Sequence, residues 1–109
     1  MKQPEYIVVY ITTGNIKEAE KISDKLIKDK LAACTNMIPK VKSVFSWKGK
    51  IEEADEQLLI VKTKRSLFRS LVKAVKKLHS YEVPEIIALP IIEGNEAYFN
   101  WIKGAVKRH

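Results

Sequence analysis

The strongest constraint on the fold is one long hairpin in the middle of the chain. A stretch of about fifteen residues, Ala33 to Trp47, has strand-forming composition and leads into the glycine-centred turn Lys48-Gly49-Lys50. The return strand runs from Ile51 to Thr63. Strands in globular proteins usually have about five or six residues, so the tip should overhang the sheet and offer edges to a neighbour. Pro39 interrupts the first strand and predicts a bend or bulge.

The segments on either side of the hairpin alternate between strand and helix patterns. A nearly continuous apolar stretch near the N-terminus predicts a strand buried on both faces. Asn15 followed by Glu18 has the spacing of a capping box and predicts the start of a helix. The elements predicted outside the hairpin are a strand at Tyr6 to Thr12, helices at Asn15 to Leu31 and from a Ser66 cap to Leu78, a strand at Ile86 to Ile92, and a last helix starting at Gly94-Asn95.

This order predicts one α+β domain over residues 1–109 with a ferredoxin-like fold. The β-α-β-β-α-β arrangement packs two helices on one face of a four-stranded antiparallel sheet, and a C-terminal helix follows. The usual strand order of this fold is 4-1-3-2. Pro90 has no N–H to donate to a ladder, so its strand should lie at an edge, as that order requires.

The sheet predicted in this way has too much apolar surface for a monomer. The helices cover one face only, yet the first strand and the run Leu58 to Val61 are apolar on both faces. A solvent-exposed apolar face of that size marks an interaction surface. We therefore expect the open faces of several copies to pack together in a closed homo-oligomer, with a trimer as the predicted assembly.

The charge balance does not indicate a nucleic-acid partner. The formal net charge is +7, and of the 20 basic residues only Arg65, Arg69 and Arg108 are arginine. Lysine neutralises phosphates but lacks the bidentate geometry of arginine. The strands also lack the aromatic and basic pattern of an RNA-recognition motif, and oligomerisation would bury the sheet face that such a motif needs.

Cysteine usage and hydropathy predict a cytoplasmic protein without a membrane partner. Cys34 is the single cysteine, so no intramolecular disulfide can form, which fits a reducing compartment. The N-terminal segment lacks the apolar core of a signal peptide, and no apolar run approaches the length of a transmembrane helix.

The connector between the second helix and the last strand is the strongest candidate site. It contains His79, Tyr81, Glu82 and Glu85 within seven residues. His79 and Cys34 are ligands suited to copper or zinc, and the two glutamates can add oxygen ligands. Alternatively, His79 caps a helix C-terminus and Cys34 is a small buried hydrophobe. The topology puts Cys34 and His79 at opposite ends of the sheet, so a shared site would need two subunits.

Two further residues of the hairpin, Lys62 and Trp47, need a physical reason for their positions. Lys62 carries a charge within a strand, where the alternative to a functional role is a side chain that snorkels at the sheet end. Trp47, beside the turn, suits an interface more often than substrate stacking. The first half of the return strand is acidic, with carboxylates at Glu52, Glu53, Asp55 and Glu56.

The sequence contains none of the common catalytic motifs, such as a phosphate loop, a nucleophile elbow or a His-Glu-x-x-His zinc motif, and we predict that the protein is not an enzyme. Five further blocks stand in order along the chain: Ala33-Cys34-Thr35-Asn36, Ser46-Trp47-Lys48-Gly49-Lys50-Ile51, Leu59-Ile60-Val61-Lys62-Thr63, His79-Ser80-Tyr81-Glu82-Val83-Pro84-Glu85-Ile86 and Tyr98-Phe99-Asn100-Trp101-Ile102. In these blocks, and over essentially its whole length, the sequence resembles the CutA family of divalent-cation tolerance proteins.

The resemblance implies a cytosolic homotrimer, similar in architecture to PII-type signalling proteins and associated with tolerance to copper and other divalent cations. It also implies that Cys34 and His79 match positions linked to copper binding, and that Lys62, Trp47, Tyr81 and Glu85 match positions near subunit clefts. The family usually has a proline where this chain has Ser80, so its connector should be less rigid.

We therefore expect a homotrimer that binds divalent metal ions weakly, with Cu²⁺ or another divalent cation as the ligand. The alternative is a PII-like regulatory trimer that binds a small anion or a protein partner in the intersubunit cleft near Lys62.

Overall fold

A computed structural model describes residues 4–108 and contains one four-stranded sheet and three α-helices. Along the chain these are β1 (Tyr6–Thr13), α1 (Ile16–Lys28), β2 (Cys34–Trp47), β3 (Lys50–Lys64), a short 3₁₀ turn (Arg65–Leu67), α2 (Phe68–Leu78), β4 (Ile86–Pro90) and α3 (Glu96–Ala105).

The strand order confirms the ferredoxin-like arrangement. The sheet reads β2-β3-β1-β4, and every neighbouring pair is antiparallel. β4 is therefore an edge strand, which accommodates Pro90 at its end. No helix among residues 4–108 is long and apolar enough to cross a membrane.

Three predicted boundaries were wrong. α1 ends at Lys28 and not at Leu31, because Lys30 adopts a left-handed conformation with φ of 57°. Ser66 does not cap α2, since it lies inside the 3₁₀ turn, and α2 starts without a side-chain cap. β4 stops at Pro90 and does not continue to Ile92.

The hydrophobic core lies between one face of the sheet and the first two helices. The alternation of a strand sends Ile7, Val9 and Ile11 of β1 to this face, and all three are buried. Leu59 and Val61 of β3 join them, because they pair with Ile11 and Val9 and so share their face. The helix residues that close this core are Ala19, Ile22, Leu26, Leu71 and Val75.

The opposite face of the sheet is also apolar, and much of it is uncovered. α3 meets this face at one end, where the ring of Phe99 stacks on Tyr6 at 4.6 Å. Beyond α3, Ile38, Ile87 and Leu89 remain 44%, 51% and 42% exposed. We call this surface the open face; its apolar residues are Val8, Tyr10, Ile38, Leu58, Ile60, Ile87 and Leu89.

The hairpin overhangs the sheet as predicted. β1 pairs with β3 only as far as Gln57, while β2 and β3 continue to pair with each other up to Trp47 and Lys50. The register shifts between Ile38 and Val41, which confirms the irregularity predicted at Pro39. Beyond the shift, the hairpin is a two-stranded ribbon with both edges open within this chain.

The turn at the tip depends on a glycine. Lys48 and Gly49 have φ angles of 50° and 79°, so both central residues are left-handed, as a two-residue hairpin turn requires. A Cβ on Gly49 would meet no atom within 4 Å, so its backbone conformation alone resists substitution.

We predict opposite effects for alanine at two uncrowded glycines. Gly49→Ala should lower the free energy of unfolding by about 1 kcal/mol, because alanine disfavours the left-handed region. Gly104→Ala should raise it by about 0.5–1 kcal/mol, because Gly104 lies in α3 and its Cβ would also meet nothing. Urea unfolding at one fixed protein concentration measures both. Changes in the same direction would contradict the turn assignment.

Candidate functional site

The connector starts where α2 ends, and His79 is the cap residue there. Its backbone N–H donates to the carbonyl of Val75 at 2.9 Å. The residues that follow turn back across the end of β1 towards the overhanging part of the hairpin. His79 therefore has the helix-terminal position that the sequence offered as the alternative to a metal role.

The imidazole of His79 is fully buried and bonded at both nitrogens. Nδ1 lies 3.1 Å from the backbone nitrogen of Tyr81, which can only donate, so Nδ1 accepts. Nε2 must then carry the proton, and it donates to the carbonyl of Thr12 at 2.6 Å. This arrangement leaves no imidazole lone pair for a metal. His79 would have to break one of these bonds to fulfil the predicted ligand role.

Glu18 joins the first helix to the same connector. The capping-box prediction is half right, because the Asn15 side chain accepts from the Glu18 backbone N–H at 2.8 Å. The Glu18 carboxylate, however, accepts from the backbone N–H of Ser80 at 2.9 Å. Its second oxygen is buried without a hydrogen bond and lies 3.6 Å from His79 Nδ1. Thus α1, α2 and β1 all hold the first residues of the connector.

Tyr81 continues this network towards the hairpin. Its hydroxyl donates to Oε2 of Glu56 at 2.6 Å, and its ring lies 4.9 Å from that of His79. Burial, followed by the hydrogen bond to Glu56, raises the pKa of Tyr81 to about 12. Gly14 makes room for the ring, because a Cβ there would lie 2.9 Å from the tyrosine hydroxyl oxygen.

An acidic cleft of about 760 Å³ opens between the connector and the overhanging hairpin. Of the residues predicted from the sequence, it brings together Trp47, Tyr81, Glu82 and Glu85. The carboxylates that line it are Glu52, Glu53 and Glu56 from β3 and Glu82 and Glu85 from the connector. Five of the 13 acidic residues therefore border one cleft in a chain of net charge +7.

The β3 carboxylates and Phe45 of this cleft were not predicted as site residues. The acidic first half of the return strand was their signal in the sequence, but only the fold shows that it faces the connector. Phe45 and Trp47 form the hairpin side of the cleft, and their exposed fractions are 42% and 40%. Lys42 pairs with Glu53 at 3.1 Å, but both side chains are largely exposed, so the pair contributes little.

The described chain does not contain a complete metal site. Within residues 4–108, no three His, Cys, Asp or Glu side chains are grouped closely enough to hold an ion. The cleft therefore carries several carboxylates, but within the described residues they are not grouped around one position that could hold an ion.

The structure separates Cys34 and Lys62 from the cleft. These two residues are register partners on β2 and β3. Lys62 Nζ donates to the side-chain oxygen of Asn36, and Cys34 Sγ lies 3.8 Å from the same oxygen. The charge of Lys62 thus has an amide partner. Tyr98 of α3 also reaches this cluster, since burial, followed by the nearby Cys34, raises the pKa of its hydroxyl.

The sheet register sets the separation between the two groups. Lys62 pairs with Val8 of β1, whereas His79 bonds to Thr12, four positions further along the same strand. At about 3.3 Å per residue, this corresponds to about 13 Å along the sheet. Lys62 therefore does not share the cleft of Trp47 and Tyr81 within one chain, and Cys34 does not meet His79.

Comparisons with known proteins agree with this fold. The family model described as CutA1 divalent ion tolerance protein matches residues 7–105. The chain is 43% identical over 101 residues to Protein CutA, chloroplastic, of Arabidopsis thaliana, covering 93% of this chain and 56% of that protein. It is 45% identical over 96 residues to the divalent-cation tolerance protein CutA of Thermus thermophilus, covering 88% of this chain and 93% of the relative.

A solved structure shares this fold. The crystal structure of CutA1 from Oryza sativa superimposes with a TM-score of 0.94 at 42% identity and covers 98% of both chains. This chain spans only about half the length of several curated relatives, including 56% and 57% of the two plant proteins.

We predict that Tyr81 ionises about two pH units above an ordinary tyrosine. The raised pKa means that folding favours the neutral hydroxyl. The stabilisation is therefore complete below about pH 10 and is lost as the pH rises from about 10 through about 12. Ultraviolet titration of phenolate absorbance measures this, with Tyr81→Phe to identify the step.

Glu56→Gln provides the matched test of the cause. It removes the charged acceptor and should move the tyrosine step towards lower pH. A Tyr81 step near pH 10 in the parent would contradict the burial and the hydrogen bond.

Proposed function

Because this chain belongs to the CutA1 family of divalent ion tolerance proteins, we propose that it binds divalent cations at the acidic cleft as a homotrimer. The observation that carries this proposal is the gathering of five carboxylates around one cleft of a basic protein. Carboxylate oxygens attract divalent cations by charge, and the low dielectric constant of the walls of a cleft strengthens that field.

The proposed homotrimer would supply the ligands and the cover for the open face that a single chain lacks. The cleft gathers charge, but no group of three suitable ligands forms within residues 4–108. The open face is apolar and uncovered beyond α3, with Ile87 51% exposed. Packing the open faces of three copies would bury this surface and bring a neighbour to the overhanging hairpin, where it can contribute the missing ligands.

In this proposal, the members of the predicted metal set have different roles. Glu82 and Glu85 line the cleft and act as ligands. His79 holds the connector through Thr12 and Tyr81, and so positions those glutamates indirectly. Cys34 can reach a cleft only from another subunit, because within its own chain it lies beside Lys62.

The metal follows from the ligand set. Carboxylates alone favour hard cations, whereas Cu²⁺ prefers a site with nitrogen or sulfur ligands. Copper binding therefore depends on a soft ligand joining the cleft across the interface, and Cys34 is the candidate. We also propose a cytoplasmic location, on the single cysteine alone; the Arabidopsis relative is named as chloroplastic.

A PII-like regulatory role near Lys62 is the second proposal. Lys62 is half-buried and already bonded to Asn36, which reduces its capacity to bind an anion.

We also propose that the protein is not an enzyme. The description of the family and the name of the Thermus thermophilus relative refer to ion tolerance and to no reaction, which supports this proposal.

Calorimetric titration with Cu²⁺ and with Zn²⁺ tests the cation proposal. Combining Glu82→Gln and Glu85→Gln should weaken binding about tenfold or more, because two ligand charges disappear from the cleft. The matched control combines Glu20→Gln and Glu93→Gln, which remove the same charge from exposed positions outside the cleft. Equal losses in both double variants would reduce the effect to general electrostatics and would refute the site.

Cys34→Ala tests the copper assignment separately. If Cys34 supplies the soft ligand, this variant loses Cu²⁺ affinity while the two glutamates are still present. If it binds Cu²⁺ like the parent, Cys34 is not a ligand and the copper assignment fails, whatever the glutamate variants do.

A further inference from the structure

A second recess lies on the opposite side of the sheet from the open face. It has a volume of about 380 Å³ and sits where the start of α2 crosses the ends of β1 and β4. Its floor is apolar and is formed by Ile7, Phe68, Ala88 and Pro90. Ile7 and Pro90 are register partners on the helix-covered face, so the recess lies on the opposite face from Lys62 and at the other end of β1 from the acidic cleft.

Two arginines border this apolar floor. They are Arg65 and Arg69, and the chain has only one other arginine among its 20 basic residues. A guanidinium offers paired donors that match the two oxygens of a carboxylate, whereas an ammonium group acts as a point charge. The chain thus uses lysine almost everywhere else and places its two bidentate cations at one recess.

Neither guanidinium has an ion-pair partner in the part of the chain that the structure describes. Arg65 lies in the 3₁₀ turn and Arg69 in the first turn of α2, and their like charges repel because both border the same recess. The first turn of α2 contains no acidic residue that would offset them. An anion between the two groups would remove this repulsion.

Arg65 is already oriented. Its backbone N–H donates to the carbonyl of Glu5 at 2.8 Å, and its Nε donates to the carbonyl of Pro4 at 3.0 Å. Within residues 4–108, the hydrogen bond of this side chain uses Nε and leaves the terminal nitrogens for a ligand. Because the side chain is held by its Nε, less rotamer entropy is lost when it binds.

We propose that the Arg65–Arg69 recess binds a small carboxylate that carries a compact apolar group. The two guanidiniums bind the carboxylate, and the floor around Phe68 and Pro90 receives the apolar group. The volume lies within the range of small-molecule sites, which starts at about 300 Å³. An inorganic anion would leave the apolar floor unused, and a metal cation would be repelled.

Titration of the full chain with phenylacetate, followed by ¹H–¹⁵N NMR, tests this site. We expect saturable shifts of the backbone amides of Phe68, Arg69 and Ala88. Arg69→Gln should weaken binding about tenfold or more by removing one charge-assisted pair, while glutamine preserves helix propensity. Arg108→Gln is the matched control, because it removes the same charge near the C-terminus and should leave the affinity unchanged.

Three other probes separate the two halves of the proposed ligand. Acetate lacks the apolar group, phenylacetamide lacks the charge, and inorganic phosphate supplies charge alone; each should bind at least about tenfold more weakly than phenylacetate. Equal binding of acetate or phosphate would reduce the recess to a general anion site. Absence of saturable shifts with phenylacetate, or equal losses in Arg69→Gln and Arg108→Gln, would overturn the proposal.

Discussion

The apolar character of both faces of a single sheet is the constraint on which the rest of this structure depends. α1 and α2 cover the centre of one face, and Val9 and Val61 beneath them have no exposed surface. Residues 4–108 form only one further α-helix, and α3 reaches just the end of the opposite face near Tyr6. The uncovered remainder is an apolar patch of the kind that marks an interaction surface, and we propose that other copies of the chain cover it.

One wall of the acidic cleft also lacks support within a single chain. The cleft forms because the hairpin continues past the end of β1 and the connector folds back towards it. One wall is thus a two-stranded ribbon, and such ribbons are only marginally stable alone. A neighbour packed on the open face would support this ribbon. The interaction that completes the sheet would then also complete the cleft.

The connector is held by its backbone more than by its charges. His79 joins the end of α2 to the last carbonyls of β1, and Glu18 binds Ser80 from α1. A proline at position 80 could not donate the N–H that Glu18 accepts. The serine that departs from the family pattern therefore gains a hydrogen bond where the loop loses ring stiffness. The sequence-based expectation of a looser loop did not include this compensation.

Periodicity and turn chemistry predicted the fold well. The order of strand and helix patterns predicted the ferredoxin-like arrangement with its usual strand order, Pro90 predicted the edge strand, and the long strands around Gly49 predicted the overhanging hairpin. Boundaries failed where one backbone angle decided them, as at Lys30, or where a 3₁₀ turn replaced a cap, as at Ser66. Glu82 and Glu85 were singled out from the sequence and line the acidic cleft, while their role as ligands stays a prediction.

The sequence could not reveal which partners these side chains contact. Both nitrogens of His79, a predicted ligand, are bonded to Thr12 and Tyr81, and Lys62, predicted at a cleft between subunits, donates to Asn36 within one chain. Residue type alone does not encode such contacts, and the functional roles of both residues stay predictions.

The mass of the particle in solution tests the central claim most directly. Light scattering during size-exclusion chromatography should give three copies for the parent. Ile87→Glu, on the open face, should dissociate them by burying a charge in the interface. Ile27→Glu, on α1 at a similar exposure of 42%, should leave the trimer intact. A monomeric parent at micromolar concentration, or equal behaviour of the two variants, would contradict the account.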